Sequence, residues 1–389
     1  MIHNSIIAIY FSVNSRAVCD YVMKLAMKMS ENNLVIAFLV YTNPHPLFKS
    51  LLMKKQKPVL YKERGVYFCR PIYLLPFQRY AIIDRWNKWL FLSVVFPIVV
   101  TYIRYVHYQK RLGKRRFFFF YHPQKEKEYF KIMYAYFSKR STTVFDIVDS
   151  PDVQSSQERS SVEQCIKSAD VVVVNSHTLY KRFSPVRRDI TVVPQGFSLE
   201  EFRHPKKVKA FLRGKPIVGF VGSIGSRLDY SLLFRLIERN PHYVFVFWGP
   251  KEYVKGENVQ ELSKKILRLS SYDNVIRGQS RDKREIPSII RQFNLCIIPY
   301  NTAIEAVRMS YPMKLFEYFY MGKPVLATPI EELKRFPKYV KIGTTVQEWE
   351  RHIQKLLSKP WPLNVQKEQK KLAEANSWEI KIDVISRLF

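Results

Sequence analysis

Lys314 and Glu317 stand three residues apart in the stretch Arg308–Pro329, RMSYPMKLFEYFYMGKPVLATP. An apolar run of strand type, Leu295–Tyr300 (LCIIPY), lies before it, and a loop over 301–311 separates the two. Pro312 suits the start of a helix, where its missing N–H costs nothing. About ten residues later Gly322 offers a left-handed cap and Pro324 forbids continuation. Val325–Thr328 then reads as the next buried strand. A helix N-terminus just past the C-terminal end of a parallel strand presents N–H groups and a positive dipole end, which is where phosphates bind. Lys314 in the first turn opposes that dipole, at a cost of about a few tenths of a kcal/mol. An anion held between the N–H groups and the ammonium reverses the sign, since charge-assisted hydrogen bonds contribute about 1.5–3 kcal/mol. Glu317 lies on the same side as Lys314 and Met313. A carboxylate cannot assist a phosphate, but it can accept hydrogen bonds from a ribose diol one nucleoside length away. An ordinary surface Lys–Glu pair would show the same spacing.

A second phosphate-directed element is Gly222-Ser223-Ile224-Gly225, which follows the strand Ile217–Val221 and precedes a helix that Asp229 can cap. Glycines there let backbone N–H groups approach a diphosphate, although a tight turn needs the same residues. Facing the helix at 312, this loop would put two N–H-rich turns on one pyrophosphate. Arg227 and Arg308 are possible further phosphate contacts. The sequence holds no Asp-x-Asp pair, HExxH or His/Cys cluster. Cationic side chains and helix dipoles can neutralise a leaving diphosphate without a metal ion, so no metal site and no cofactor is expected.

PMKLFEYFYMGKPVLATP resembles the signature of nucleotide-sugar glycosyltransferases of the GT-B fold, especially the bacterial surface-polysaccharide branch, P-x-K-x-x-E-Y-x-x-x-G-K-P-V-x-A. The segment 217–250 is similar to that family's first strand–loop–helix unit. VVPQGFSLEEF at 192–202 is similar to its interdomain VPNGVDxxxF element, with Gln195 for Asn and Ser198 for Asp. FFFFYHPQ, VFDIVDSP and SADVVVVNS carry a weaker likeness in the first half. The family 4 transferases have two glutamates eight apart, and eight before Glu317 stands Met309. Glu305 is the compensating candidate, but that family's retaining mechanism does not carry over. The Met313–Lys314 pair is similar instead to inverting glucuronosyltransferases of exopolysaccharide assembly.

The resemblance implies an α/β chain of two Rossmann-like parallel-sheet domains facing a central cleft. It implies an acceptor-binding domain at 1–200, a nucleotide-sugar-binding domain at 201–375 and a helix at 376–389 returning to the first domain. It implies transfer from a nucleoside-diphosphate sugar, a UDP-sugar first among them, to a lipid-linked or polysaccharide acceptor. Gly222, Ser223, Ile224, Gly225, Glu305, Arg308, Met313, Lys314 and Glu317 would bind the donor. An inverting transfer also needs a base for the acceptor hydroxyl, at the C-terminal end of a strand in the first domain. Asp149 and Asp146 in VFDIVDSP and His122 in FYHPQ meet that condition, and the resemblance points to Asp149. An Asp before Ser-Pro also opens turns. Two alternatives stay open: a non-catalytic basic adaptor on a degenerate GT-B fold, and a sugar-nucleotide epimerase.

The alternation of short apolar strands and helical runs supports this layout. In the first half strands fall at Ser5–Ser12, Asn33–Tyr41, Phe117–His122, Thr142–Val148 and Ala169–Asn175. In the second half they fall near 216–221, 243–248, 274–279, 295–300 and 325–328. The abnormal quantity is charge: 64 basic residues against 33 acidic ones give a net +31. A fold does not need this, so it speaks of partners. Without zinc-finger, RNP-like or helix-turn-helix signals, nucleic acid is not expected. Four cysteines without a CxxC and no signal-peptide pattern imply a cytoplasmic chain. Residues 89–103, WLFLSVVFPIVVTYI, form an apolar run too short to span a bilayer and interrupted by Pro97. Arg104, Lys110, Arg111, Lys114, Arg115 and Arg116 follow with no acid among them. This segment reads either as a core helix with a solvated basic end or as a helix lying on an anionic membrane through 85–116. The second places the protein on the inner face of the cell membrane, held by charge and released by salt.

Overall fold

The structure, a computed structural model, describes residues 5–11, 19–39, 60–69, 81–109, 113, 115–121, 127–148, 156–194, 196–211, 214–251, 259–280 and 282–388. The chain divides into two units, Met1–Val193 with Lys381–Phe389, and Pro194–Ile380. Each is built on one parallel sheet.

In the first unit the strands are β1 (Ile6–Phe11), β2 (Leu34–Leu39), β3 (Leu60–Glu63), β4 (Val66–Cys69), β5 (Arg116–Phe120), β6 (Thr142–Ile147), β7 (Val171–Val174) and β8 (Thr191–Val192). Their order across the sheet is β3-β4-β2-β1-β5-β6-β7-β8. All pairs are parallel except β3–β4, a hairpin turned at Arg64–Gly65. β1 and β2 are apolar along their whole length and their described side chains are buried, as in strands covered on both faces. β1, β2, β5, β6 and β7 lie where the alternation placed strands; the short pieces β3, β4 and β8 were not expected. Four residues or fewer give too little periodicity to stand out from loop.

Residues 81–109 run as one helix in three pieces: Ala81–Leu90, a π turn over Phe91–Val95, and Phe96–Gln109. Contrary to the sequence expectation, Pro97 does not interrupt it. The π turn shifts the bonding register, with Phe96 N–H donating to Phe91 O, and Pro97's missing N–H falls at the junction. The Thr101 hydroxyl donates to the Pro97 carbonyl at 2.9 Å. Ala81–Val106, 26 residues, is thereby long and apolar enough to cross a membrane, which corrects the reading of a run too short to span. One face nevertheless packs into the unit: Phe96 meets Phe38 at 5.6 Å and Phe137 at 6.1 Å, and Phe91 meets Tyr129 at 5.4 Å. Trp86, Trp89, Val94, Ile98, Tyr102 and Tyr105 are exposed. Their spacing is three or four except for five across the π turn, whose extra residue keeps them on one stripe. Lys110, Arg111 and Lys114 of the basic flank lie outside the described residues.

The second unit holds β9 (Ile217–Val221), β10 (Val244–Trp248), β11 (Val275–Gly278), β12 (Leu295–Ile298), β13 (Val325–Ala327) and β14 (Val340–Ile342). The order is β11-β10-β9-β12-β13-β14, all parallel. Five strands match the expected segments; β14, three residues long, was not expected. The order reverses between β9 and β12, which both run centrally. Parallel sheets bind ligands at such a switch, beyond the strands' C-terminal ends. The helix Trp378–Ser386 starts in this unit and from Lys381 onward belongs to the first.

Candidate active site

The loops after β9 and β12 are sewn together. Asp229 N–H donates to Pro299 O at 2.9 Å and Asn301 N–H donates to Arg227 O at 2.8 Å, with an antiparallel bridge between Leu228 and Tyr300. Asp229 also caps the helix Tyr230–Arg239 as expected, its carboxylate accepting from Leu232 N–H at 2.9 Å. The Gly222 loop is thus fixed to the segment that leads to Lys314.

The helix carrying Lys314 is Lys314–Tyr320, with Met313 at its N-cap. It starts two residues later and is shorter than Pro312 and Gly322 suggested. The first turn is tight, Leu315 N–H reaching Pro312 O and Phe316 N–H reaching Met313 O, so Pro312 is spent on the entry. Gly322 does hold the left-handed cap at φ 63°, and Lys323 N–H donates back to Tyr318 O at 3.0 Å. Lys323 of the Gly-Lys-Pro run is structural: its ammonium donates to the carbonyls of Arg291 and Phe293 at 2.8 and 2.7 Å. Burial pushes its pKa down.

Lys314 lies where β9's loop begins. A Cβ built on Gly222, whose φ is 143°, would come within 2.9 Å of Lys314 Cε and 3.0 Å of Nζ. The ammonium donates to the Tyr300 hydroxyl and stands 4.8 Å from the Phe220 ring centre. It is therefore held by a hydroxyl and an aromatic ring rather than by an acid. From the next turn Tyr318, fully buried, accepts from Val221 N–H at 2.9 Å and locks the helix to the end of β9; burial raises its pKa well above the tyrosine range.

The glycine loop differs from a four-fold N–H cradle. Gly222 N–H donates to Trp248 O and Ile224 N–H to Pro250 O, both at 2.9 Å, so the end of β10 takes these two. The N–H groups of Ser223 and Gly225 have no partner among the described residues. Ile224 is fully buried and Ser223 exposed. Gly249 completes the turn, since a Cβ there would stand 2.1 Å from Gly222 O.

Glu317 is half-buried on the Lys314 helix, and Met313 is half-buried at its N-cap. Glu305 and Arg308 are exposed at the two ends of the single turn Glu305–Arg308, and Met309 is its C-cap. Arg227 is exposed beside the glycine loop. The first-unit candidates separate. Asp149 and His122 lie outside the described residues. Asp146 is inside β6 and 1% exposed, so its carboxylate is not at a strand end open to substrate. It acts on buried Lys381, whose pKa burial pushes down to about 8 against the opposing pull of the Asp146 charge. Lys381 also donates to Val193 O at 3.1 Å. Among the described residues no group of three His, Cys, Asp or Glu side chains converges as metal ligands would.

Tyr300, Phe220, Tyr318 and Gly249 are the site residues that sequence reasoning missed. Tyr300 had a signal, an aromatic hydroxyl closing an apolar strand run just before the loop. The others needed the strand order.

Residues 202–377 match the family described as Glycosyl transferases group 1. A Bacillus subtilis (strain 168) protein, assigned provisionally by its name as the teichuronic acid biosynthesis glycosyltransferase TuaH, is 28% identical over 190 residues. That alignment covers 46% of this chain and 45% of TuaH, so the match spans about half of the relative's length. Among solved structures, sucrose-phosphate synthase from Thermosynechococcus elongatus superposes with a TM-score of 0.68 at 14% identity, covering 99% of this chain and 98% of that one. Anabaena HepE in complex with UDP and glucose gives 0.65 at 16%, covering 98% of each chain. The fold is that of the GT-B glycosyltransferases.

Proposed function

We propose that this chain, whose residues 202–377 form a glycosyl transferases group 1 domain, moves a sugar from a UDP-sugar to an acceptor in surface-polysaccharide biosynthesis. The observation that carries the reading is Lys314, held without an acid partner against the Gly222 turn at the switch point of the second sheet. An ammonium so placed supplies the charge that a leaving diphosphate needs. The remaining N–H groups of Ser223 and Gly225 add two donors in the same loop. Glu317, one turn along, accepts from the ribose hydroxyls, and Arg308, Arg227 and Glu305 border the approach. HepE's complex with UDP and glucose favours uridine and a hexose. TuaH's name, that of a teichuronic acid biosynthesis glycosyltransferase, favours a polysaccharide acceptor, and we extend the proposal to a lipid-linked one handled on the cytoplasmic side of the membrane. The chain's own cations take the diphosphate's charge, so the transfer needs neither metal nor cofactor.

A thermal-shift panel of UDP-, GDP- and dTDP-sugars tests the donor. Binding to the folded state raises stability by RT ln(1 + [L]/Kd), about 2.7 kcal/mol at a hundredfold excess over Kd, and the UDP-sugars should give the largest rise. A flat response across the panel would end the proposal.

Asp149 remains the proposed base, since it stands two residues past the end of β6 in sequence. Asp149→Asn should lower turnover about a hundredfold or more while the UDP-sugar melting shift stays as in the parent. Full turnover in this variant would assign the proton to another group or to a retaining reaction.

A further inference from the structure

The first unit carries a cationic site that sugar transfer does not use. Where β1, β5 and β6 begin, a cavity of about 40 Å³ opens between Arg104, Arg116 and Arg140. That is room for a few waters or one phosphate group. Val100 and Phe117 form its apolar floor and Ser141 adds a hydroxyl. Two of the arginines are braced by one tyrosine. Arg104 Nη2 donates to the Tyr136 hydroxyl at 3.1 Å and Arg140 Nη1 to the Tyr136 carbonyl at 3.0 Å. The Arg140 guanidinium also lies 4.6 Å from the centre of that ring. No carboxylate pairs with any of the three among the described residues. Three like charges around an apolar floor repel one another, and the forked guanidinium matches phosphate oxygens in pairs.

Arg104 belongs to the helix turn that displays Tyr102 and Tyr105, and it flanks the exposed stripe that runs back to Trp86. Trp and Tyr pair an apolar ring with a polar tip, which suits the boundary between lipid headgroups and acyl chains. We infer that this face docks on an anionic phospholipid bilayer, with the helix Ala81–Gln109 lying in the interface, its aromatic stripe inserted and one lipid phosphodiester seated between Arg104, Arg116 and Arg140. The inference rests on the proposed membrane-side acceptor and gives it a place and a mode. Ring insertion holds the protein, so docking outlasts the screening that would abolish attraction by net charge alone. Spanning does not fit, because Phe91 and Phe96 on the opposite face are in the core of the unit.

The test is sedimentation of the full chain with vesicles of phosphatidylcholine alone or with phosphatidylglycerol added. The parent should bind the anionic vesicles and stay bound in about 1 M salt, where the Debye length falls to about 3 Å. Trp86→Ser/Trp89→Ser/Tyr105→Ser should weaken binding to both vesicles by about a hundredfold or more. Arg104→Gln/Arg116→Gln/Arg140→Gln should remove the preference for the anionic vesicles while leaving a weak, salt-resistant association. The parent's melting shift with UDP-glucose, kept in both variants, shows that they fold. Complete release of the parent by salt would overturn the inference. So would competition by inorganic phosphate as effective as that by vesicles, which marks a soluble-phosphate site, or self-association lost in the aromatic variant without vesicle binding. If no sugar nucleotide shifts the parent while vesicle binding persists, the donor proposal has failed and the docking surface stands.

Discussion

Lys314→Ala should weaken binding of UDP and UDP-sugars by about ten- to a hundredfold and leave uridine binding almost unchanged. The ammonium sits against the Gly222 turn and is held by the Tyr300 hydroxyl and the Phe220 ring. No buried acid is orphaned when it goes, so the cost appears in ligand binding rather than in folding. The expected loss is one charge-assisted contact to the diphosphate, about 1.5–3 kcal/mol, and roughly 1.4 kcal/mol corresponds to tenfold. Tyr300→Phe keeps the ring and the cation but drops the hydroxyl that aims it. It should show the same pattern with a smaller, several-fold effect. Glu317→Ala should behave differently, weakening uridine, UDP and UDP-sugars alike, because a ribose contact is common to all three. Isothermal calorimetry on this ligand series separates the two patterns. Equal affinity of parent and Lys314→Ala for UDP would move the diphosphate away from the Gly222 turn.

The distribution of what was legible in the sequence follows from range. Strands β1, β2, β5, β6, β7 and β9–β13 are apolar runs of at least three residues flanked by turn residues or helical periods, so local pattern suffices. Gly322 and Asp229 could be assigned because caps are decided within a few residues. Pro97 misled for a related reason. Local rules forbid proline inside a helix, but a π turn one step earlier moved the register so that its missing N–H fell at a junction. The aromatic stripe was hidden by the same turn, since its five-residue step breaks a strict helical period. Tyr300 and Phe220 bear on Lys314 across 14 and 94 positions of sequence, and Tyr318 reaches Val221 across 97. Such contacts depend on β9 and β12 being neighbours, which no short window records. Asp146 shows the same limit in reverse. Its place near a strand end suggested a base, while its neighbour Lys381 comes from the far end of the chain.

That pair gives the other large expected effect, and it reads on stability. Asp146 and Lys381 are 1% and 3% exposed, and Lys381 also holds the Val193 carbonyl, the last residue before the chain leaves the first unit. The Asp146 charge acts on the Lys381 ammonium, and removing one of two buried opposite charges leaves the other less compensated, at a cost of about 3–5 kcal/mol. Lys381→Met should therefore lower the first unit's melting temperature by roughly 6–20 °C at pH 7. Asp146→Asn should do the same with a distinctive pH dependence. Burial already pushes the Lys381 pKa from 10.5 down to about 8, and losing the Asp146 charge pushes it lower still. The folded chain thus gives up this proton before the unfolded chain does. Between the folded and unfolded pKa values the unfolded state binds more protons, so this group's contribution to stability rises with pH across that window. Below the window both states are protonated and the cost of burying the ammonium is fully present. In Asp146→Asn the window opens at lower pH, and its deficit against the parent should be smaller at pH 9 than at pH 6. Replacing both partners, Asp146→Leu with Lys381→Met, should recover most of the loss, because an apolar pair of similar volume leaves no charge stranded. Thermal melts at the two pH values, with UDP-glucose turnover measured alongside, decide between this role and the catalytic one. An Asp146→Asn protein that melts like the parent yet has lost turnover would make Asp146 the base.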